Sequence, residues 1–396
     1  MIRFRSIFWT AVFAVTMAGG AWAAFLRFYY GLGASTHLND QFPWGLWIGF
    51  DVLCGVGLAA GGFTLAAIVH IFNIKTYKPI VRPAILTAFL GYLLVVVALM
   101  FDLGRPYRIW HPLIMWNPRS VMFEVGWCVM LYTTVLFLEF LPLVLQKFRL
   151  SKAQRILRLF MLPIVILGVI LSTLHQSSLG SLFLIMPHKL HPLWYSPLLP
   201  VLFYVSAIAT GLAMTIFESW HSSRAFNRQL EYPLIKRLTR VLAVSIAVYM
   251  TMRFLDLYHR GALATLNNPG MERWLFGLET LLMAVPMLMF FRERTRENPT
   301  AVYIGVVMFL LGFVTHRLNV SVTGLEATSG VSYVPKWTEL AVTLAIVAGG
   351  FYIFRLAAKY LPVFEEEEEA EGALSGGRRI PVLTGDACQP ALSRGD

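Results

Sequence analysis

Ionisable side chains are concentrated in FDLGRPYRIWHPLIMWNPRSVMFE, residues 101–124, which joins two long apolar segments. The segment carries six of them: Asp102, Arg105, Arg108, His111, Arg119 and Glu124. Charged groups are costly inside a membrane, and those that occur there usually have a function. A carboxyl group beside hydrogen-bond donors can bind a carbonyl oxygen and exchange a proton with it. These residues therefore predict a quinone-reactive pocket close to one membrane face.

Membrane helices must position this segment. The chain has 396 residues, of which 57% are hydrophobic and 14% charged, and its mean hydropathy is +0.64. Its apolar runs of about 20 residues match the length that crosses a hydrocarbon core. The composition predicts an all-α polytopic membrane protein. We predict ten spans, at residues 7–30, 45–72, 84–103, 121–145, 156–174, 197–220, 238–258, 273–291, 301–320 and 337–358.

Lys and Arg residues are concentrated in alternate loops, which predicts the orientation of the spans. They lie before the first span and within residues 75–82, 147–158, 224–240 and 292–296. By the positive-inside rule these segments are cytoplasmic, so both termini are predicted to be cytoplasmic. The opposite loops are poorer in charge but rich in Trp, His and Pro, and they suit a docking surface for a partner.

The two terminal segments differ from the central spans. RFRSIFWTAVFAVTMAGGAWA resembles a cleavable signal, but apolarity continues through residues 28–30, which favours retention as the first span. The last residues contain EEEEEAEG and a polar stretch that cannot bury a core. We predict an integral membrane domain over residues 1–360 and a disordered, acidic cytoplasmic tail over residues 361–396.

Three residues with exchangeable protons are predicted at successive depths in the membrane. Tyr92 precedes the outer end of the third span by ten residues, or about 15 Å of helix. Glu124 lies just inside the fourth span at the outer face, and Glu218 ends the sixth span at the cytoplasmic face. One hypothesis is a proton relay from Glu218 through Tyr92 to Glu124. The alternative is structural, with Tyr92 bonded to a carbonyl and Glu124 paired with Arg105 or Arg119.

A run of polar residues, LHQSSLGS, is predicted to end the fifth span at the outer interface. Its hydrogen-bond donors and acceptors could bind a quinone carbonyl and protonate it. Alternatively, these polar residues could simply cap the end of the helix. We predict five quinone-binding residues: Asp102, Arg105, His175, Gln176 and Ser177.

Other ionisable residues in the spans leave packing and function open. Asp51, about two turns inside the second span, needs a donor from a neighbouring helix. Arg253 and Asp256 are one turn apart and are expected to pair with each other. Glu279 and Arg317 could serve either packing or function.

Cysteine and histidine positions argue against a metal centre in this chain. Cys54 and Cys128 lie in apolar segments and Cys388 in the tail, with no C-x-x-C spacing for an iron–sulfur cluster or structural zinc. A b-type haem needs histidines on facing helices at matching depth. His175 and His316 are the only pair worth considering, and we predict that no haem is bound. Any iron–sulfur centre would then belong to a partner.

Several motifs resemble the membrane subunits of hydrogenase-2-type nickel–iron hydrogenases, within the NrfD-like or polysulfide reductase membrane-subunit family. The resemblance is carried by FPWGLWIGFDVLCGVGLAAGGF, VRPAILTAFLGY, SVMFEVGWCVMLY, LHQSSLGSL and HPLWYSPLLP. It implies two four-helix bundles plus additional helices in a bacterial inner membrane. It also implies a quinone-reactive subunit without haem or clusters, which exchanges electrons with a periplasmic ferredoxin-like protein.

The resemblance also assigns roles. The glutamate of SVMFE is Glu124, the tyrosine of FLGY is Tyr92 and the glutamate ending the sixth span is Glu218, all implicated in quinone and proton chemistry. The expected function is electron transfer from the iron–sulfur partner of a nickel–iron hydrogenase, with its large and small subunits, to menaquinone or ubiquinone. A passive membrane anchor, a haem b cytochrome and a proton-coupled transporter are alternatives. Ionisable groups at one face argue against transport, which would place the site at the midplane.

Overall fold

Helices make up nearly all of the regular structure in the computed structural model, which describes residues 2–226 and 229–364. Of the tail predicted over residues 361–396, residues 365–396 lie outside these residues, whereas Val363 and Phe364 are buried in the core. Ten helices of the described part are long and apolar enough to cross a membrane, as predicted. They are α1 (Ile2–Tyr30), α2 (Trp47–Ile71), α3 (Lys78–Asp102), α4 (Val121–Lys147), α5 (Met161–Leu184), α6 (Leu199–Ala225), α7 (Tyr232–His259), α8 (Met271–Phe291), α9 (Pro299–Ser329) and α10 (Trp337–Tyr360).

Helices α2 and α9 contain π-helical turns. In α2 these turns are Trp47–Cys54 and Ala67–Ile71, and in α9 the turn is Asn319–Thr323. A π turn shifts the side chains that follow it around the helix and is frequent at functional sites. The first π turn of α2 carries Asp51, and the π turn of α9 carries Asn319.

The spans form two four-helix bundles and a peripheral pair. Helices α2 to α5 pack together, and α6 to α9 form the second group. Helix α6 joins the groups by packing against α2 and α5 as well as α7 and α9. Helices α1 and α10 pack on each other, and α10 also contacts α3. This arrangement agrees with the architecture implied by the resemblance.

Close helix crossings depend on small residues, as is typical of membrane proteins. A Cβ atom added to Gly211 of α6 would lie 2.6 Å from the backbone carbon of Ala60 and 2.7 Å from the backbone nitrogen of Gly61. The α2–α6 crossing therefore brings two backbones into contact.

Successive spans run in opposite directions, so the connecting loops fall at two ends. We call one end the basic end, because its loops contain the short helix Ser151–Leu159, with its Lys and Arg residues, and the arginine-rich helix Glu293–Glu297. The opposite end contains the loops after α1, α3, α5, α7 and α9. The sequence predicts that the basic end is cytoplasmic.

One predicted boundary is wrong in a way that affects the site. The fifth span was expected over 156–174, but α5 extends over Met161–Leu184. The LHQSSLGS run therefore lies inside a membrane helix and not at an interface. Its hydroxyl and amide groups are compatible with a helix because several of them bond to backbone carbonyls.

Candidate functional site

Glu124 lies in the first turn of α4, near the opposite end, and its side chain is exposed on the surface of the bundle. The helix begins there because the Ser120 hydroxyl caps it, accepting a hydrogen bond from the Phe123 amide at 3.4 Å. The Oγ atom of Ser178, a buried residue of α5, lies 2.5 Å from Glu124 Oε1. The carboxyl group thus connects the bundle surface with the interface between α4 and α5.

Neither arginine proposed as a static partner pairs with Glu124. None of the ion pairs among the described residues includes Glu124, Arg105 or Arg119, and the Arg105 side chain is exposed. Aromatic rings occupy the same turn of α4: Trp127 follows Glu124 by three residues, and its ring centroid is 4.9 Å from that of Trp116 and 6.1 Å from that of Phe123. A flat aromatic ligand could stack on this exposed surface.

Tyr92 is completely buried between α3, α4 and α5. Its ring meets the Tyr132 ring edge-on at 4.7 Å and lies 5.6 Å from the His175 imidazole. Ser172 and Gln176 are also near its hydroxyl. The Tyr92 hydroxyl has no partner in hydrogen-bond geometry within the described residues. The alternative prediction that it bonds a carbonyl is therefore wrong.

The predicted cluster His175, Gln176 and Ser177 lies inside α5 and not at its outer end. His175 is 0% exposed, and Gln176 donates to the carbonyl oxygen of Val56 in α2 at 3.2 Å. Ser177 donates to carbonyls of its own helix at 2.9 Å. The deep position of the run in α5 explains the difference, because its side chains point into packed helix interfaces. Only the neighbouring Ser178 reaches Glu124.

Asp102 belongs to a different group of residues from Glu124. It ends α3 close to Arg27 of α1 and Glu339 of α10. The Arg27 guanidinium donates to the carbonyl oxygens of Phe101 and Leu103 at 2.5 and 2.6 Å, and so holds the end of α3. The structure therefore directs Asp102 towards the peripheral pair and leaves Arg105 exposed, so the five predicted quinone-binding residues do not form one pocket.

Tyr333, in the loop before α10, completes the group around Asp102. Its hydroxyl donates to Glu339 Oε2 and accepts a hydrogen bond from the Leu46 amide at 2.8 Å. Burial and this carboxylate raise the pKa of the Tyr333 phenol. The phenol thus remains a proton donor that links α10 to the start of α2.

Glu218 lines a cavity of about 920 Å³ between the peripheral pair and the bundles. Its carboxylate accepts a hydrogen bond from Thr87 of α3 at 2.8 Å. The cavity is mostly apolar and also reaches Asp51, whose carboxylate accepts a hydrogen bond from Thr343 of α10 at 2.7 Å. Thr343 is the donor from a neighbouring helix that Asp51 was predicted to need. Glu218 thus lies against one face of α3, whereas the Tyr92 side chain projects from another face of the same helix.

Sequence reasoning missed two residues at the α4–α5 interface, Tyr132 and Glu139, which are both buried. The Glu139 carboxyl packs against Gly168 of α5: a Cβ atom added there would lie 3.0 Å from Glu139 Oε1. The signal was present, because Glu124, Cys128, Tyr132 and Glu139 recur at helical spacing along one face of α4.

The second bundle contains a separate buried polar group. The Arg253 guanidinium forms an ion pair with Glu279, and not with Asp256 as expected from the sequence. Asp256 pairs with Arg260 at 2.8 Å. Trp194 and Asn319 also donate to Glu279, the indole nitrogen at 3.1 Å and the amide nitrogen at 2.8 Å. Glu279 therefore has a structural role, joining α7, α8, α9 and the loop after α5.

Arg317 is buried in the same bundle. Its guanidinium carbon lies 3.5 Å from the Phe203 ring centroid, and its Nη2 donates to Ser206 Oγ at 2.9 Å. The two histidines considered for haem ligation lie in different bundles, since the His175 ring packs on Tyr92 and the His316 ring on Tyr249. No group of three or more potential metal ligands occurs among the described residues.

The arrangement around Glu124 is suited to proton exchange. An exposed carboxyl group beside aromatic rings can exchange a proton with a flat ligand that approaches from the bilayer. The Ser178 hydroxyl connects that group to the polar interior between α4 and α5.

Comparison with known proteins assigns the chain to a family. The family "Polysulphide reductase, NrfD" matches residues 34–327. The chain is 33% identical over 342 residues to the probable Ni/Fe-hydrogenase 2 b-type cytochrome subunit of Escherichia coli, covering 85% of this chain and 87% of that protein.

Two further relatives are named for menaquinone chemistry. The integral membrane subunit of menaquinone reductase from Nitratidesulfovibrio vulgaris is 29% identical, with 92% of this chain and 93% of that protein covered. The Hdr-like menaquinol oxidoreductase integral membrane subunit of Archaeoglobus fulgidus is 24% identical, with 91% and 94% covered. With a family match over most of the ten-helix core, this chain is a member of the NrfD family of polysulphide reductase membrane subunits.

Proposed function

We propose that this chain is the quinone-reactive membrane subunit of a respiratory redox complex in a bacterial inner membrane. Electrons pass between an iron–sulfur partner at the opposite end, which the positive-inside rule makes periplasmic, and the membrane quinone pool. A ferredoxin-like subunit and the large and small subunits of a nickel–iron hydrogenase are the proposed partners, in line with the name of the Escherichia coli relative.

Glu124 is the observation that supports this proposal most. Its carboxyl group is exposed to a ligand arriving from the bilayer, and its contact with Ser178 leads to buried polar groups. Reduction of a quinone consumes two electrons from the partner and two protons, and yields the quinol. Glu124 donates a proton to a quinone oxygen, and the aromatic side chains beside it support the ring. Oxidation of hydrogen by the partner would supply two electrons and release two protons outside.

The test uses the complex purified from membranes through a tag on this chain. Hydrogen, the substrate of the proposed partner, serves as electron donor and 2,3-dimethyl-1,4-naphthoquinone as acceptor, because hydrogen does not reduce a naphthoquinone without a catalyst. We expect the natural complex to reduce the naphthoquinone and the Glu124→Gln variant to be slower by roughly tenfold or more, because the amide cannot deliver the proton.

Glu272→Gln is the matched control, because Glu272 occupies the first turn of α8 in the second bundle, also at the opposite end. Its rate should equal that of the natural complex. A Glu124→Gln complex that assembles and reduces the naphthoquinone at the natural rate would show that Glu124 is not the proton donor. A natural complex that reduces benzyl viologen with hydrogen but cannot reduce the naphthoquinone would favour a passive anchor.

A further inference from the structure

A stripe of polar residues runs along the contact between α4 and α5 through most of the membrane. On α4 it comprises Glu124, Cys128, Tyr132 and Glu139, which recur at intervals of four, four and seven residues. From Glu124 to Glu139 the helix advances 15 residues, or about 22 Å, against a hydrocarbon thickness of roughly 30 Å. We define these residues and their partners on α5 as the α4–α5 stripe.

The α5 side of the stripe consists of Gly168, Ser172, His175 and Ser178. Successive members are three or four residues apart, so they share one side of the helix. Gly168 lacks a side chain where the Glu139 carboxyl lies, and Ser178 lies against Glu124. Each end of the stripe is thus a carboxyl group that contacts α5.

Buried polar atoms between these ends have no partner among the described residues. They are the hydroxyl oxygens of Tyr92, Tyr132 and Ser172, both ring nitrogens of His175, and Oε2 of Glu139. A buried polar group without a hydrogen bond is destabilising, so such groups are normally satisfied by ordered water. Tyr132 is close to Tyr92, Ser172 and Glu139, so bridging waters would form a continuous chain.

Glu218 does not belong to this stripe. It is held by Thr87, which lies five residues before Tyr92 on α3, and this spacing turns the two side chains about 140° apart. The Glu218 carboxylate lines the cavity beside α1 and α10, whereas the Tyr92 hydroxyl is enclosed by α4 and α5. A proton path from Glu218 to Glu124 would have to cross the packed helix α3.

We propose that Glu139 is the proton carrier at the basic end of a relay that passes through Tyr132, Ser172 and Tyr92 to Ser178 and Glu124. Glu139 lies eight residues before the end of α4, or about 12 Å from that end. This inference rests on the proposed function. For each quinone reduced, two electrons come from the iron–sulfur partner and both protons come from the basic end through Glu139. Glu139 gives up its proton to the relay and is reprotonated from the basic side.

The test reconstitutes the tagged complex into liposomes that contain the pH dye pyranine. The tag follows α10 at the basic end, and liposomes with an exposed tag are removed on an affinity resin, so that the basic end faces the lumen in those that remain. Hydrogen is the electron donor. Reduction of 2,3-dimethyl-1,4-naphthoquinone by the natural complex should make the lumen alkaline. We expect Glu139→Gln to slow quinone reduction roughly tenfold and to abolish the alkalinisation, while Glu139→Asp retains part of both.

A control variant, a second variant of the stripe and a check of assembly are needed to interpret the result. Glu231→Gln removes an exposed carboxyl at the basic end, outside the stripe, and should behave as the natural complex. If Glu139→Gln fails to assemble, Tyr132→Phe keeps the ring packing, removes the next hydroxyl and should lower the alkalinisation several-fold. Assembly is checked by the reduction of benzyl viologen with hydrogen in the material that copurifies with the tagged chain, a reaction that needs the partner but no quinone.

Natural rates and natural alkalinisation in both Glu139→Gln and Tyr132→Phe would overturn the relay. Loss of alkalinisation in Glu218→Gln, with no loss in those two variants, would assign the path to the cavity side of α3. These outcomes are distinct from failure of the proposed function, in which the natural complex itself does not reduce the naphthoquinone.

Discussion

At the scale of single residues, position along a helix predicted the depth of Glu124 and Tyr92 but not the partners of these side chains. Glu124 lies near a helix end and Tyr92 at mid-depth, and both depths follow from counting residues along a span. Glu139 and Tyr132 were missed because they were recognisable only once α4 was seen to face α5, and that depends on which helices are neighbours. The LHQSSLGS residues were misplaced because polar side chains resemble an interface until their carbonyl partners inside the helix are known.

The buried pair of Arg253 and Glu279 leads to a prediction about stability. Glu279→Gln leaves the Arg253 guanidinium buried without a counter-charge, which typically costs about 3–5 kcal/mol. We expect a clear decrease in the unfolding temperature of the full chain in detergent, measured by intrinsic fluorescence.

A second ion pair supplies the control for this measurement. Lys236 and Glu297 form an exposed pair at 3.3 Å, and Lys236→Gln should cost less than about 1 kcal/mol. Equal decreases for the two variants would show that the Arg253–Glu279 pair adds nothing beyond a surface pair.

At the scale of helices, apolar run length predicted all ten spans, because the hydrocarbon thickness imposes a length that sequence reveals directly. Run length could not predict the π turns of α2 and α9 or the extent of α5. A π turn depends on tertiary packing around one inserted residue. The end of a span that contains polar residues depends on whether neighbouring helices cover them.

The crossing of α2 and α6 leads to a prediction at this scale. Gly211→Ala would place a Cβ atom against the backbone of Ala60 and Gly61, so the helices would have to separate. Overpacking of this kind costs about 1–3 kcal/mol, and we expect a lower unfolding temperature.

Gly277→Ala on α8 is the matched change, because nothing lies within 4 Å of its added Cβ atom. There the substitution should be neutral or slightly stabilising, since alanine favours a helix more than glycine. An undiminished unfolding temperature in Gly211→Ala would indicate that the crossing is looser than described.

At the scale of the whole molecule, the family resemblance implied two bundles with additional helices, and the structure has this arrangement. Composition alone could not give the pairing of α1 with α10, since these helices are separated by most of the chain. Their contact depends on the path that the chain takes through the eight spans between them in the sequence. The cavity lined by Glu218 and Asp51 was unforeseen for the same reason.

Orientation in the membrane is a prediction for the whole chain. Green fluorescent protein fused after residue 360 should fluoresce, because the basic end is predicted to be cytoplasmic. Alkaline phosphatase fused at that position should be inactive, and the same enzyme fused within residues 185–198 should be active. The reverse pattern in living cells would place the basic end outside and reverse the proposed direction of proton uptake.

The pairing of α1 with α10 has a consequence for biogenesis. The first of them leaves the ribosome before the other eight spans and the second after them, and both form part of the wall around the 920 Å³ cavity. The wall is therefore incomplete until α10 has been synthesised. Until then Asp51 and Glu218 remain uncovered on this side, and maturation of the cavity waits for insertion of α10.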